Sequence, residues 1–403
     1  MSLKNKNVLI GICGGIAAYK VCELIRLLRK LEANVKIIMT QNAQKFITPL
    51  TVQTLSQNRV YLDTFESEYS YDIEHISLTN WADILIVAPA TANIIGKFAN
   101  GIADDLLSTT FLAFNKPILV VPAMNSNMFE NRIVQANIQK LKQMGINVLE
   151  PDAGLLACGV YGKGRYPENQ KIIIEIERLL EKKDLEGKSI LITAGPTREY
   201  LDPVRFISNR SSGKMGFALA EEAYKRGAKV TLISGPVNIQ TYADIKIINV
   251  ETASQMYDEV KKMKDEHDIL IFSAAVADFR PKNFKESKIK KDQWQNLHIE
   301  LEKNPDILKY AGETKKDWQI VVGFSAETEN VVENSQKKLY EKNADLIVAN
   351  NVLQEGAGFD VDTNIVTLIS KDKILEFSKL TKREVASKIF DFIVDYLCRK
   401  EQR

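Results

Sequence analysis

A cysteine, a histidine and an asparagine in the first half of the chain could together perform thiol and proton chemistry. Cys158 lies in a glycine-rich stretch, residues 151–167, rather than in an apolar run where reduced cysteines usually pack. Such a stretch is typical of a mobile loop that closes over an active site, where a thiol can donate or accept a proton. His75 and Asn125 precede it. We therefore predict a thiol-dependent enzyme in the first half and a separate activity in the second.

A pair of glycines near the N-terminus predicts a phosphate site. The segment GICGGIAAYK (11–20) follows an apolar run and opens a helix, so its backbone N–H groups could face a phosphate at the positive helix end. It is not a GxGxxG motif, and IIMTQNA provides no acid at the end of the second strand. A mononucleotide such as FMN therefore fits better than a dinucleotide. A plain tight turn is an equal alternative on this motif alone.

Two further segments start where predicted strands end. APATANIIGKFANGIADD (88–105) follows the third strand and PAMNSNM (122–128) the fourth, and open α/β sheets bind ligands at such ends. The amide of Asn125 can donate to a carboxylate, and Met124 could line a flat ring. His75 lies on a loop or helix start before the third strand, where a lone histidine is usually structural. We include His75 among the candidate catalytic residues because a predicted ligand site, an amide and a loop thiol occur in the same half of the chain.

The elements that must position these residues alternate between apolar strands and amphipathic helices. In the first half the strands are predicted at 7–12, 35–40, 83–90, 117–124 and 146–151, with helices such as 16–32 and 131–144 between them. After a charged segment (177–189), the pattern restarts with strands at 189–197, 229–236, 245–250, 268–276, 320–327, 346–351 and 365–370, and closes with a helix at 381–398. Buried parallel strands with intervening helices indicate two doubly wound α/β domains, with a boundary near 185–190.

In the second half, too, polar residues follow predicted strands and could bind a ligand. Arg205 and Asn209 precede the glycine-rich helix entry SSGKMG, which lacks the spacing of a P-loop; Arg205 could pair a phosphate or carboxylate. An ordinary helix cap is the alternative. Asp278 follows a buried strand, and KESKIKKD (285–292) predicts a flexible lysine-rich loop. Lys338 and Lys342 lie one helical turn apart, which is unfavourable unless an anion is bound there.

Composition limits the functional class. The chain has 403 residues, 45% hydrophobic and 26% charged, with a net charge of +2, so nucleic-acid binding is not indicated. The four cysteines do not have metal-ligand spacing, and the chain has only three histidines. The sequence therefore does not favour a zinc site. Because the sequence shows neither a cleavage pattern nor a long apolar run, we expect a reduced, cytoplasmic protein without a membrane partner.

The first half resembles the flavin-dependent cysteine decarboxylases, most closely the phosphopantothenoylcysteine decarboxylases. GGIAAYK, His75, APATAN, PAMNSNM and the Cys158 segment carry the resemblance over residues 1–188, although Phe129 stands where the family usually has tryptophan. The resemblance implies a flavodoxin-like or Rossmann-like flavoprotein domain. It implies that His75 acts as base at the oxidation step, that Asn125 holds the departing carboxylate, and that Cys158 delivers the final proton. It also implies FMN binding by Gly14, Gly15, Ile16, Ala17, Ala88, Pro89, Thr91, Asn93 and Met124.

The second half, 189–403, resembles the phosphopantothenate–cysteine ligases through ISNRSSGKMG, AAVADF and KIKK. The resemblance implies a Rossmann-like ligase domain in which CTP, with Mg²⁺, activates 4′-phosphopantothenate as an acyl-cytidylate that cysteine then displaces. Asn209 would stabilise this intermediate and Lys288 would favour its formation. From its place after a buried strand, Asp278 could hold the metal ion or hydrogen-bond a ligand hydroxyl. Substrates would contact Arg205, Phe272, Ser273, Ala274, Asp278, Lys288, Pro305, Asp306, Ile307, Leu308, Phe324, Lys338 and Lys342.

Together the two resemblances imply a coenzyme A biosynthesis enzyme that converts 4′-phosphopantothenate and cysteine into 4′-phosphopantetheine. They also imply a homo-oligomer, with trimeric flavin domains, dimeric ligase domains and possibly a dodecamer. A flavin prenyltransferase or peptidyl-cysteine decarboxylase is an alternative for the first half. A regulatory flavin-binding protein and a two-domain NAD(P)-dependent oxidoreductase are alternatives from other classes, although neither half has the dinucleotide signature.

Overall fold

The chain folds into two compact units, Met1–Glu181 and Lys182–Arg403. The computed structural model describes residues 3–64, 73–157, 159–290, 298–351, 353–354, 356, 358 and 361–401. Each unit has a hydrophobic core on both faces of a central sheet. Among the described helices, none combines the length and the apolar character that crossing a membrane requires.

The sheet of the first unit is parallel throughout. Its strand order, β3-β2-β1-β4-β5-β6, places β1 between β2 and β4, where the direction of winding reverses. The strands are apolar along their length because helices cover both faces, and every residue of the fourth strand is buried. They are β1 (Asn7–Ile12), β2 (Asn34–Met39), β3 (Val60–Tyr61), β4 (Ile84–Ala90), β5 (Ile118–Pro122) and β6 (Asn147–Val148).

The helices of this unit present apolar stripes to the sheet. In the first helix the buried residues Ala18, Val21, Leu24, Ile25 and Leu28 recur every three or four positions. The helices are α1 (Ala18–Lys30), α2 (Pro49–Ser56), α3 (Glu74–Trp81), α4 (Ala92–Asn100), α5 (Leu106–Ala113), α6 (Ser126–Glu130), α7 (Arg132–Gln143) and α8 (Asn169–Leu180), with a 3-10 turn at Ala43–Lys45.

The glycine-rich stretch 151–167 is not the loop that its composition predicts. It forms an antiparallel hairpin of β7 (Asp152–Leu155) and β8 (Tyr161–Arg165). Close packing accounts for Gly154, Gly162 and Gly164, because an added Cβ at each would lie within 3.0 Å of another residue. Gly164 has a φ of +125°, and a Cβ at this position would collide with the carbonyl oxygen of Met124. The prediction of a loop is therefore wrong for the residues on either side of Cys158, which itself lies outside the described residues.

The second unit contains a larger, mostly parallel sheet of order β13-β12-β9-β14-β17-β18-β20-β21. Only the pairs β18–β20 and β20–β21 among these are antiparallel. The strands are β9 (Ser189–Ala194), β10 (Arg198–Tyr200), β11 (Phe206–Ser208), β12 (Lys229–Ser234), β13 (Lys246–Asn249), β14 (Ile269–Phe272), β15 (Phe279–Pro281), β16 (Leu301–Lys303), β17 (Ile320–Glu327), β18 (Leu346–Asn351), β19 (Thr363–Asn364), β20 (Thr367–Ile369), β21 (Ile374–Glu376) and β22 (Leu380–Thr381).

The helices of the second unit are α9 (Lys214–Lys225), α10 (Ala253–Met263), α11 (Ile307–Glu313), α12 (Val331–Glu341) and α13 (Lys382–Glu401), with a 3-10 turn at Lys264–Glu266. The first strand of this unit, β9, lies between β12 and β14, so the winding reverses here as it does at β1. The predicted fold class, two doubly wound α/β domains with mostly parallel sheets, is confirmed.

Candidate functional site

A cavity of about 1040 Å³ lies in the first unit where β1 and β4 end. This is the reversal point of the sheet, the place where open α/β folds bind ligands. The segment after β1, the start of α4 and the segment after β5 converge on it. The cavity is lined by most of the residues predicted for the flavin and its substrate: Gly14, Gly15, Ile16, Ala17, Thr91, Asn93, Met124 and Asn125.

Helix caps fix two of these residues. The Thr91 hydroxyl accepts a hydrogen bond from the Ile94 N–H at 3.4 Å and starts α4. The Asn125 carboxamide oxygen accepts from the Asn127 N–H at 2.9 Å and starts α6. By contrast, Ala17 precedes α1 without a capping side chain. The positive end of α1 is therefore available to an anion such as a phosphate.

Three predicted residues do not line this cavity. Ala88 and Pro89 are buried within β4, because only the residues after the strand emerge at its end. His75, the second residue of α3, is half-buried and also lies outside the cavity lining. Its Nδ1 atom is buried and has no hydrogen-bond partner among the described residues. Cys158 lies outside the described part of the chain.

Sequence reasoning missed an ionic cluster in the wall of the cavity. Lys97 Nζ lies 2.6 Å from Asp104 Oδ1 and 2.8 Å from Asp105 Oδ2. Burial by itself would lower the pKa of Lys97, but the two carboxylates raise it above its usual value. Asp105 also caps α5 in a capping box with Ser108, which its sequence, D-L-L-S, could have indicated. The pairing with Lys97, however, requires the folded chain.

Two buried groups in the cavity wall have strongly shifted acid–base properties. Burial raises the pKa of the Cys13 thiol to about 12, so this cysteine stays protonated and is not a nucleophile at neutral pH. Burial also raises the pKa of Tyr166, which is 3% exposed. Its hydroxyl group has no hydrogen-bond partner among the described residues. A buried donor without a partner is costly, so a ligand or water is expected to supply one.

The hairpin β7–β8 forms another side of the cavity. The Met124 N–H donates to the Gly164 carbonyl oxygen at 3.0 Å, which fastens β8 to the segment that carries Asn125. Leu155, Leu156 and Arg165 of this region line the cavity. The segment that carries the predicted catalytic asparagine and the hairpin β7–β8 are therefore joined by backbone hydrogen bonding.

In the second unit, the predicted residues gather at the ends of β9 and β14. The Ser273 hydroxyl donates to the Thr193 carbonyl oxygen at 2.7 Å, and the Ala274 N–H donates to the Thr193 hydroxyl at 3.3 Å. The Asn209 carboxamide donates to the Val276 carbonyl oxygen at 2.9 Å while its residue stays exposed. Asn209 is thus held beside the segment between Phe272 and Asp278 at the reversal point of this sheet.

A charged cluster lies beside the end of β17. Lys342 pairs with Asp306, which also caps α11 by accepting from the Lys309 N–H at 2.9 Å. Lys338 Nζ donates to the Phe324 carbonyl oxygen at 3.0 Å. Burial lowers the pKa of Lys338, and the positive charge of Lys342 lowers it further. Nearby carboxylates, including Asp278, raise this pKa but do not cancel the effect of burial. The structure therefore brings Asp278, Phe324 and both lysines together with the 305–308 turn.

Arg205 contacts the segment that carries Lys288. Arg205 Nη1 donates to Asp202 at 2.8 Å and to the Ile289 carbonyl oxygen at 3.0 Å. Lys288 itself is exposed, next to the buried Ile289.

A cavity of about 450 Å³ lies in the second unit at the ends of β12 and β13. None of the predicted CTP-binding residues lines this cavity.

Comparison with known proteins identifies both units. The flavoprotein family matches residues 1–181, and the DNA/pantothenate metabolism flavoprotein C-terminal domain family matches residues 185–397. The coenzyme A biosynthesis bifunctional protein CoaBC of Bacillus subtilis is 51% identical over 374 residues, which cover 92% of each chain. The protein of the same name from Borreliella burgdorferi is 45% identical and covers 97% of this chain and 99% of its own. The chain belongs to the CoaBC family.

A solved C-terminal domain of a CoaBC protein is 46% identical and covers 54% of this chain and 98% of its own, with a TM-score of 0.46. As a CoaBC protein, the chain is a bifunctional enzyme of coenzyme A biosynthesis that combines decarboxylase and ligase activities. Both resemblances found in the motifs are thereby confirmed. The family favours this interpretation over a regulatory flavin-binding protein or an NAD(P)-dependent oxidoreductase.

Proposed function

We propose that the second unit joins cysteine to 4′-phosphopantothenate with CTP, and that the first unit decarboxylates the product to 4′-phosphopantetheine with FMN. The assignment divides the chain into a decarboxylase, 1–188, and a ligase, 189–403. The observation that supports it is that Gly14, Thr91 and Asn125 line the cavity at the reversal point of the first sheet, while Asn209 is held beside the end of β14 at that of the second. The ligase product is the decarboxylase substrate, so the two activities on one chain form a sequence.

The cavity of the first unit fits FMN. Its volume of about 1040 Å³ leaves room for a substrate beside the cofactor. The start of α1, which has no capping side chain, and the Gly14–Ala17 turn suit the phosphate, and the Tyr166 hydroxyl, without a partner in the described part of the chain, marks a polar contact for a ligand. When bound, the flavin supplies a two-electron oxidation and reduction of the thiol end of the substrate, which makes the carboxylate able to leave.

Residues of the chain would then control binding and protons. Asn125, fixed as the cap of α6, holds the substrate carboxylate through its amide. Cys158, which lies between β7 and β8 in the sequence, donates the final proton. Cys13 does not compete for this role because its thiol is buried and its pKa is raised.

The position of His75 supports a site shared between protomers. His75 lies on α3 beside Ile73 and Ile76, which are 62% and 42% exposed, and α3 packs against α5, where Leu112 is 49% exposed. Exposed apolar side chains in such proximity mark a protein contact surface. We propose that His75 serves the cavity of a neighbouring protomer in a trimer. Dimeric ligase units would then complete a dodecamer.

In the ligase unit, Asn209 would stabilise the acyl-cytidylate while cysteine attacks, and Lys288 would stabilise charge as the acyl-cytidylate forms. Lys338 and Lys342 supply positive charge for CTP near Phe324 and Asp306. The exposed Asp278 fits a Mg²⁺ ion that enters with the triphosphate, because Mg²⁺ commonly binds one or two carboxylates, substrate phosphates and water.

Reciprocal variants test the division of labour. Cys158→Ser is expected to leave CTP-dependent ligation intact and to stop the flavin reaction before its final reduction. Asn209→Ala is expected to leave decarboxylation intact and to slow amide formation by about 10²-fold. Pyrophosphate release and CO₂ release measure the two activities on the same preparation. Formation of 4′-phosphopantetheine at the parent rate by Cys158→Ser, or equal loss of both activities in Asn209→Ala, would contradict the assignment.

A further inference from the structure

Asp202 is a fully buried carboxylate in the turn between β10 and β11, and it is 0% exposed. One oxygen accepts hydrogen bonds from the N–H groups of Val204 and Arg205, both at 2.8 Å. The other accepts from Arg205 Nη1 at 2.8 Å and from the Ile289 N–H at 3.1 Å. The last bond crosses to a segment 87 residues away along the chain.

Ile289 is held through both of its backbone groups. Its N–H donates to Asp202, and its carbonyl oxygen accepts from Arg205 Nη1 at 3.0 Å. Its side chain is buried at 7% exposure, although the neighbouring residues Lys288 and Lys290 are exposed. A further backbone bond, from the Lys285 N–H to the Leu201 carbonyl oxygen at 3.0 Å, ties the same segment to the same turn. The lysine-rich segment is therefore fastened immediately beside Lys288.

The charge of Asp202 makes this attachment strong. Burial by itself would raise the pKa of Asp202, but the Ile289, Val204 and Arg205 N–H groups and the Arg205 guanidinium together lower it to about 2. The carboxylate is thus ionised throughout the neutral range, and all four of its hydrogen bonds are charge-assisted. An amide in its place keeps only one acceptor oxygen, so at least one side of the arrangement must be lost.

We propose that Asp202, with Arg205, is a positioning residue for the ligase reaction, which holds the backbone at Ile289 so that Lys288 reaches the reacting phosphate. The proposal rests on the proposed role of Lys288 in forming the acyl-cytidylate. It gives Arg205 a structural partner within the chain, in addition to the substrate contact predicted from the sequence. A lysine on an unrestrained segment would lose side-chain and backbone entropy each time it engaged the phosphate.

Hydrogen exchange in the full-length protein tests the attachment directly. In Asp202→Asn, the amides of Lys285 and Ile289 are expected to exchange at least about tenfold faster than in the parent, since their protection depends on this turn. Asp345→Asn is the matched control: the Asp345 side chain is only 10% exposed, accepts from the Val321 N–H at 2.8 Å and pairs with Lys315 at 2.8 Å. Unchanged exchange at both amides in Asp202→Asn, or equal acceleration in the control, would overturn the proposal.

A double-variant cycle tests the link to Lys288. The rate of the first turnover of pyrophosphate release is measured in Asp202→Asn, Lys288→Ala and the double variant, with CTP affinity measured separately. If Asp202 acts through Lys288, both single variants slow release and the double variant is no slower than Lys288→Ala. If the double variant is slowed by the product of the two single effects, the positioning role is overturned, because Asp202 then acts independently of Lys288. If Lys288→Ala releases pyrophosphate at the parent rate, the proposed role of Lys288 is refuted. The positioning role of Asp202 is then refuted too, even if hydrogen exchange confirms the attachment.

A second variant covers the case in which Asp202→Asn does not fold, which loss of CTP binding would reveal. Ile289→Pro removes the N–H donor, fixes φ at residue 289 and replaces the buried isoleucine side chain, while the buried Asp202–Arg205 pair stays in place. It is expected to retain CTP binding and to slow pyrophosphate release to about the rate of Lys288→Ala. Release at the parent rate in this variant would overturn the proposal.

Discussion

At the scale of single residues, Tyr166 shows how an incomplete interaction points to a ligand. Its ring lies in the cavity wall, with Lys20 Nζ 5.7 Å from the ring centroid, and its buried hydroxyl has no partner among the described residues. Its raised pKa keeps the hydroxyl neutral at working pH, so it can donate a hydrogen bond. We therefore expect the bound cofactor, directly or through water, to complete this interaction.

Tyr166→Phe is expected to weaken FMN binding by about 5- to 10-fold, the effect of losing roughly one hydrogen bond. The same change is expected to leave the melting temperature of the flavin-free protein equal or higher, since it removes an unsatisfied buried donor. Flavin fluorescence titration and calorimetry measure the two quantities. Tyr161→Phe, at a side chain that is 77% exposed on the same hairpin, is the control and should change neither. Unchanged FMN affinity with a lower melting temperature would indicate a structural role alone.

The sequence allowed part of the site to be predicted at this scale. Motif residues such as Thr91 and Asn125 could be placed because each follows a recognisable strand and caps a helix. The Lys97–Asp105 pair could not, because its two members meet only when α4 and α5 are folded. His75 was grouped with the cavity because of its residue type and its neighbours in the sequence, whereas the structure places it on α3, outside the cavity lining.

At the scale of elements, the hairpin β7–β8 is fastened to the segment that carries Asn125 through the hydrogen bond from the Met124 N–H to the Gly164 carbonyl oxygen. Its attachment depends on Gly164, which has a φ of +125° and no room for a side chain beside the Met124 carbonyl oxygen. A substitution there must displace β8, the Met124 segment or both. The expected effect is a displacement of Asn125, which is predicted to be catalytic, although Asn125 itself is unchanged.

Gly164→Ala is expected to slow CO₂ release on the order of 10²-fold, the cost of a small displacement of reacting groups. Ligation of cysteine, measured as pyrophosphate release, should stay at the parent rate because the change lies in the first unit. The matched control is Gly145→Ala, at a φ of +81° with open space around the added Cβ, so it introduces backbone strain without a collision. Similar losses of decarboxylation in both variants would attribute the effect to strain instead of to the hairpin.

Prediction of the elements succeeded where a strand is long and apolar. The strands 320–327 and 346–351 have the predicted bounds, because buried strands covered by helices read as continuous apolar runs. The predicted strand 146–151 is reduced to Asn147–Val148, at the edge of its sheet. The pairs β10–β11 and β15–β16 were missed because three-residue strands have no period to detect and exist only through their partners.

At the scale of the whole molecule, each unit carries its own sheet and its own buried clusters on both sheet faces. The two predicted sites use separate sheets, and each family covers one unit. A domain with an independent core can bind its ligand and unfold as a unit of its own. The two activities should therefore respond separately to their ligands.

Calorimetry of the full-length protein is expected to show this separation as two unfolding transitions. FMN should raise the temperature of one transition and CTP with Mg²⁺ that of the other, each by the equivalent of about 2.7 kcal/mol at a ligand concentration 100-fold above its Kd. Riboflavin and ATP serve as controls for ligand specificity. A single transition raised by both ligands would contradict independent sites.

The most direct test of the bifunctional assignment is a single assay on the purified full-length protein. It contains 4′-phosphopantothenate, cysteine, CTP and Mg²⁺, and it follows pyrophosphate, CO₂ and the visible spectrum together. We predict that a flavin-coloured sample releases both products, with CO₂ after pyrophosphate. Pyrophosphate without CO₂ would contradict the decarboxylase role of the first unit, and release of neither product would contradict the proposed function as a whole.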